Sequence, residues 1–237
     1  MPKIEVCVSP ALLNLYNTED VAVVIIDVFR ATSTITAAMH NGAASIIPIA
    51  SVQECIDLGV QHPDYITAGE RDGKVAPGLQ HGNSPLEYTP EFISNKHLLL
   101  TTTNGTRLLH MVHGASNIIM GSFLNLTAVC DYLAGLNKDI LLGCASWKDK
   151  VNLEDTLFAG AVVQRLSAHY EVKDDSARLA RHLYQSASKV GLYEFIKDSS
   201  HYLRLSGFGL EEDIRYCLDV DRHPIVPVYN GKEIVIA

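Results

Sequence analysis

Short uninterrupted apolar runs alternate along the chain with segments whose apolar residues recur at helical spacing. The runs at 4–8, 21–28, 45–49, 65–67, 97–102, 117–121 and 140–144 predict strands. The run from Val21 to Val28 contains no polar residue before Asp27, which suits a central parallel strand covered on both faces. Helical periodicity predicts helices near 33–41, 51–60, 105–113, 126–135 and 153–168, each following a strand. That alternation is the mark of an α/β fold with a mainly parallel central sheet. From 174 to 220 the pattern changes to Ala, Leu and Tyr at helical spacing with no strand between, so a helical cluster is expected near the C-terminus. At 227–236 the Asn230-Gly231 pair stands between alternating runs, the signal of a terminal β-hairpin. No Pro/Gly/Ser-rich linker divides the chain, and 1–237 reads as a single domain with the cluster inside it.

Composition narrows the partners. The 237 residues are 47% hydrophobic, enough for a large core, and no apolar run approaches the ~20 residues of a membrane helix. A net charge of -8 excludes the basic footprint that nucleic acid or an anionic membrane demands. A small anionic substrate is still compatible if a few arginines share one cleft. Residues 1–8 alternate like a strand and lack the long apolar core of a signal peptide. Five dispersed cysteines without metal-ligand spacing point to a reducing, cytoplasmic setting. Assembly into a homo-oligomer is left open.

Candidate chemistry gathers at strand ends. Asp27 and Arg30 follow the most apolar run, where ligands bind in open α/β sheets. Thr32 or Ser33 could cap the next helix, whose N-terminus favours phosphate. The stretch 69–85 holds four glycines, two prolines and four charges, so it reads as a long functional loop. In it, Glu70 and Asp72 offer hard oxygens for Mg2+, Arg71 and Lys74 offer charge for phosphate or sulfonate, and Asn83 and Ser84 can bind an anion or form the turn before Pro85. The run Thr101-Thr102-Thr103-Asn104-Gly105-Thr106-Arg107 repeats the first design: Gly105 leaves room for a phosphate and Asn104 and Thr106 can donate to it. It lacks the spacing of a Walker loop. Gly42-Ala43-Ala44-Ser45-Ile46-Ile47 also reappears as Gly114-Ala115-Ser116-Asn117-Ile118-Ile119, which would set Arg30 and Arg107 at one sheet edge. Gly121 to Asn125 reads as a strand end with an N-cap. Glu154 and Asp155 open a helix, where acids already gain from the dipole, but Asp155 lies among apolar residues and invites a metal or cation. Cys144 does not fit a thiol phosphatase, since Lys150 stands where the arginine belongs. Asp27 lacks the second acid of a haloacid-dehalogenase site. His110 and His113 lack an acid between them and read as surface residues.

Taken together, Asp27-Val28-Phe29-Arg30-Ala31-Thr32-Ser33-Thr34, Gly69-Glu70-Arg71, Gly82-Asn83-Ser84-Pro85, Thr102-Thr103-Asn104-Gly105-Thr106-Arg107, Gly121-Ser122-Phe123-Leu124-Asn125 and Glu154-Asp155 resemble the 2-phosphosulfolactate phosphatase family, in family order over roughly 4–220. The resemblance implies a three-layer α/β/α fold. It also implies a Mg2+-dependent phosphomonoester hydrolase that converts (R)-2-phospho-3-sulfolactate and water to (R)-3-sulfolactate and phosphate, a step of coenzyme M biosynthesis. Asp72 and Leu79-Gln80-His81 depart from the family pattern and bear on substrate choice more than on reaction type. Phosphoryl transfer needs positioning and charge neutralisation above all. On that basis Asp27, Glu70 and Asp155 are expected on the metal, and Arg30 and Arg107 on the phosphate. Thr32, Ser33, Asn104 and Thr106 are then neutral donors, and Arg71 or Lys74 faces the sulfonate and carboxylate. Asp27 could instead attack phosphorus, and the roles of Glu154 and Asp155 are open. The alternatives are a phosphatase for another phosphorylated 2-hydroxy acid and a non-catalytic anion-binding protein.

Overall fold

The computed structural model describes every residue except Asp72 and His113. Its strands are β1 (Ile4–Cys7), β2 (Ala22–Ile26), β3 (Ser45–Pro48), β4 (Ile66–Arg71), β5 (Lys74–Val75), β6 (His97–Thr101), β7 (Asn117–Gly121), β8 (Ile140–Cys144), β9 (Pro227–Tyr229) and β10 (Ile234–Ile236). The helices are α1 (Ala31–His40), α2 (Val52–Gln61), α3 (Pro90–Ile93), α4 (Gly105–Met111), α5 (Leu126–Leu136), α6 (Leu153–Leu166), α7 (Asp175–Ala187), α8 (Leu192–Ile196), α9 (Ser200–Ser206) and α10 (Glu211–Cys217). Short 3-10 turns lie at Pro10–Leu15, Pro85–Glu87 and Phe123–Asn125. Each apolar run singled out above forms a strand, and α7–α10 make the expected helical cluster.

The central strands are buried on both faces, and the period of two sorts their side chains. Ala22, Val24 and Ile26 of β2 join a core with residues of α5, α6 and α7. Val23 and Ile25 join a second core with residues of α1 and α4. Helices thus cover both faces, giving the three-layer α/β/α architecture. Helices α6 and α7 approach closely at Gly160, where a Cβ would stand 2.0 Å from the Ala180 carbonyl oxygen.

All ten strands form one sheet in the order β1-β8-β2-β7-β9-β10-β3-β6-β4-β5. The order does not follow the chain. The terminal hairpin occupies the middle and joins two parallel blocks, β1-β8-β2-β7 and β3-β6-β4. Both joints are antiparallel, Ile118 opposite Tyr229 on one side and Ile46 opposite Ile234 on the other. The two copies of the Gly-Ala repeat therefore flank the hairpin, and the repeat marks its two docking strands.

Three successive antiparallel pairings reverse the local strand direction between the blocks. Neighbouring strands rotate by about 20–25° per step, so the turn accumulates to on the order of 100° across the steps from β2 to β6. Twist of that size aims the C-terminal ends of both blocks toward the same side. The contact is direct: a Cβ on Gly105, after β6, would lie 2.9 Å from the Ala31 Cβ and 3.1 Å from an Asp27 carboxylate oxygen, after β2. Any larger residue at 105 would push the blocks apart.

Candidate active site

Beyond β2 the chain turns through Asp27–Arg30, with a cis peptide bond between Phe29 and Arg30. The hydroxyls of α1 hold this turn. Thr32 accepts the Asp27 N–H at 3.1 Å, Ser33 donates to the Val28 carbonyl at 2.9 Å, and Thr34 donates to the Asn83 carbonyl at 3.0 Å, tying the turn to the 69–85 loop. Asp27 is thereby presented at the floor of an open cleft of about 550 Å3 lined also by Arg30, Glu70, Asn83, Asn104 and His201. Its carboxylate is buried, and burial pushes its pKa up to about 6. The neighbouring His201 opposes that rise while Glu70 and Glu154 add to it.

Glu70 is oriented from three directions. One carboxylate oxygen accepts from the Thr103 hydroxyl at 2.8 Å and its backbone N–H at 3.3 Å, the other from the Gly73 N–H at 3.1 Å. Asn83 lies against the same cleft, its side-chain carbonyl oxygen buried and without a hydrogen-bond partner among the described residues. Arg30 is buried and forms an ion pair with Asp213 of α10, whose other oxygen accepts from Ser84 at 2.8 Å. On the opposite wall, His201 of α9 meets Glu154 of α6 through Nδ1 at 2.6 Å, and the second Glu154 oxygen is buried without a hydrogen-bond partner among the described residues.

The donor set suits a hard cation. Mg2+ takes oxygen ligands, usually one or two carboxylates together with water and substrate phosphate. Asp27, Glu70 and the orphan Asn83 oxygen supply such a set on one cleft. Among the described residues no three His, Cys, Asp or Glu groups close a cage of their own.

A profile of the 2-phosphosulpholactate phosphatase family matches residues 7–232. The chain belongs to this family. Among relatives, a probable 2-phosphosulfolactate phosphatase of Caldanaerobacter subterraneus subsp. tengcongensis is 40% identical over 88% of each chain. Proteins of the same name from Thermotoga petrophila (43%, covering 88% of this chain and 89% of the other) and Clostridium perfringens strain SM101 (36%, covering 98% and 95%) are similar at comparable length.

Within this family frame, several expected residues stand elsewhere. Asp155 is buried but faces the backbone: it accepts from the Val28 N–H at 2.9 Å and the Ser146 N–H at 3.2 Å. Burial, with Glu154 and Asp27 close by, raises its pKa well above the ordinary range, and through those two hydrogen bonds it braces the Asp27 turn. Thr32 and Ser33 are likewise spent on that turn. Arg107 is half-exposed and pairs with Asp149 at 2.8 Å. With Arg71 and Thr106 it lines a separate cleft that shares only Thr102 and Thr103 with the first; His110 stands there too. Lys74 is exposed on β5 and lines neither cleft. Ser84 acts through Asp213, and Gly105 through its close approach to Asp27. Asp72 and His113 lie outside the described residues. Three residues of this site escaped the sequence reading: His201, Arg204 and Asp213. They lie in the helical cluster, where nothing local distinguishes them from solvated side chains.

Proposed function

We propose that the protein is a Mg2+-dependent phosphatase that hydrolyses 2-phospho-3-sulfolactate to 3-sulfolactate and phosphate. The observation that carries this reading is the convergence of Asp27, Glu70 and the orphan Asn83 oxygen with Arg30 and the His201–Glu154 pair on one cleft. It is supported by the name its relatives share. Asp27, Glu70 and Asn83 would hold Mg2+, which supplies neutralisation of the phosphoryl oxygens. Arg30, kept in place by Asp213, presents guanidinium N–H groups to the same oxygens. Hydrolysis breaks the bond between phosphorus and the ester oxygen on C2, places a water-derived oxygen on phosphorus and returns a proton to the C2 oxygen. Glu154 holds the Nδ1 side of His201, which leaves Nε2 as the nitrogen that can deliver that proton. The buried free thiols of all five cysteines suit a reducing, cytoplasmic setting.

The test is phosphate release from phosphosulfolactate, phospholactate and an aryl phosphate, with Mg2+ and with EDTA. Release from phosphosulfolactate that EDTA abolishes is expected. No release from any of the three with Mg2+ present would overturn the reading.

A further inference from the structure

The phosphoryl chemistry above leaves one side of the cleft unused. The α9 helix presents His201, Arg204 and Leu205 to it, residues three and four apart that share one helix face. The Arg204 guanidinium lies 4.5 Å from the ring centre of Trp147 and 5.9 Å from that of Phe208. Phe208 in turn leaves no room for a Cβ on Gly73, which would stand 2.8 Å from its ring. A second cation shares the same indole, with the Lys148 ammonium 4.6 Å from its centre. The loop that carries Lys148 is well defined. Trp147 and Lys150 exchange both backbone hydrogen bonds, at 3.1 and 3.0 Å, around Lys148 and Asp149, whose φ angles are +52° and +59°. This is the geometry of a two-residue hairpin with both central residues left-handed. Ser9 pins it by donating to the Asp149 carbonyl at 2.9 Å.

Neither Arg204 nor Lys148 has an ion pair among the described residues, whereas Arg30 is matched by Asp213 and Arg107 by Asp149. Two unmatched cations held on one aromatic ring, Arg204 partly buried and Lys148 exposed, make this side of the cleft positive and favour an anion there. The ring faces favour cations but do not neutralise them. We propose that Trp147, Lys148 and Arg204 form the subsite for the non-reacting acid groups of the substrate, the carboxylate on the ester-bearing carbon and the sulfonate one carbon further. The proposal rests on the phosphatase reading for the identity of the ligand and moves the sulfonate-facing role from Arg71 and Lys74 to the helical cluster. Arg204 lies one helical turn beyond His201 on the same lining face of α9.

Two measurements test it. In the first, kcat/KM is compared for phosphosulfolactate and an aryl phosphate in the wild type, Arg204→Gln, Arg204→Lys and Lys148→Gln. Arg204→Gln is expected to reduce the preference for phosphosulfolactate about tenfold or more, the weight of a charge-assisted hydrogen bond, chiefly through KM. Arg204→Lys should recover part of it, and Lys148→Gln should give a smaller loss. An equal loss on both substrates, or an unchanged preference, overturns the subsite. The second measurement does not need turnover. Trp147 is the sole tryptophan of the chain, so its fluorescence reports the subsite directly. Titration with sulfolactate, which carries no phosphate, should change the emission of the wild type and require several-fold more ligand in Arg204→Gln. A wild type that shows no change, or a variant with the same midpoint, overturns the subsite, even if hydrolysis fails for every ester.

Discussion

The cleft has two walls of different origin. One is made by strand ends: Asp27 follows β2, Glu70 closes β4, and Thr102, Thr103 and Asn104 follow β6. The other is made by helices of the C-terminal cluster, which bring His201 and Arg204 on α9 and Asp213 on α10. The strand-end wall is held by backbone geometry. Its polar residues sit where the sheet stops and bond largely to turn and loop backbone, with α6 adding Asp155, which accepts from the Val28 N–H. The helical wall is held by tertiary pairing over long sequence separations, 47 residues for Glu154 with His201 and 183 for Arg30 with Asp213. The difference suggests a division of labour, in which the strand ends carry the reaction shared by the family and the cluster adds proton delivery and choice of substrate.

That division breaks if the strand-end wall proves dispensable, and the largest effect is expected there. Asp27→Asn should lower kcat by on the order of 10³-fold or more, because it removes charge where phosphoryl transfer needs it most. Calorimetric titration of Mg2+ into the variant then separates its two readings: weakened binding assigns Asp27 to the metal, while unchanged affinity with a lost rate assigns it to attack on phosphorus. An active Asp27→Asn enzyme would show that the cleft is not the reaction centre.

A smaller and more selective effect is expected from the helical wall. If His201 delivers the proton, His201→Gln should slow alkyl esters such as phosphosulfolactate by about 10²-fold, within the usual range for a general acid. Aryl phosphates, whose leaving groups need little proton help, should be slowed far less. Glu154→Gln should follow the same pattern more weakly, since it acts through the orientation of the imidazole. Rate measurements along a series of leaving groups check this, and a uniform loss across the series would reduce the pair to a structural contact.

The same contrast explains what could be read in the sequence. β2 and the Asp27 turn were legible because an unbroken apolar run must be buried, and a charge directly after it can stand only at the sheet edge. The hairpin was legible from Asn230-Gly231, but not its place between β7 and β3, because a turn signal fixes pairing within the hairpin and says nothing about its outer neighbours. Asp155 was ambiguous for a definite reason. A buried acid must find partners, and the sequence cannot tell a metal from two backbone N–H groups, here those of Val28 and Ser146. Thr32 and Ser33 carried the same ambiguity between capping and ligand. His201 and Asp213 carried no local signal at all. Among the mixed residues of an amphipathic helix, their importance arises only when α9 and α10 fold back over the strand ends.

Arg107 gives the smallest expected effect and the sharpest check on the boundary between the two clefts. The repeated strand-to-helix motif suggests that it shares the phosphate with Arg30, but its guanidinium pairs with Asp149 and lines the neighbouring cleft with Arg71. An exposed pair of this kind contributes about 0–1 kcal/mol. Arg107→Ala should therefore shift stability by no more than about 1 kcal/mol in denaturant unfolding and change kcat/KM for phosphosulfolactate by less than about threefold, the factor that corresponds to about 0.65 kcal/mol. Combined with Arg204→Gln it should act nearly additively, because the two arginines touch different residues of the 147–150 hairpin, Asp149 and Trp147. A loss of tenfold or more from Arg107→Ala alone would mean that the start of α4 turns Arg107 away from Asp149 and onto the bound phosphate. The second cleft would then be part of the reaction centre, with Thr102 and Thr103 as the wall the two clefts share.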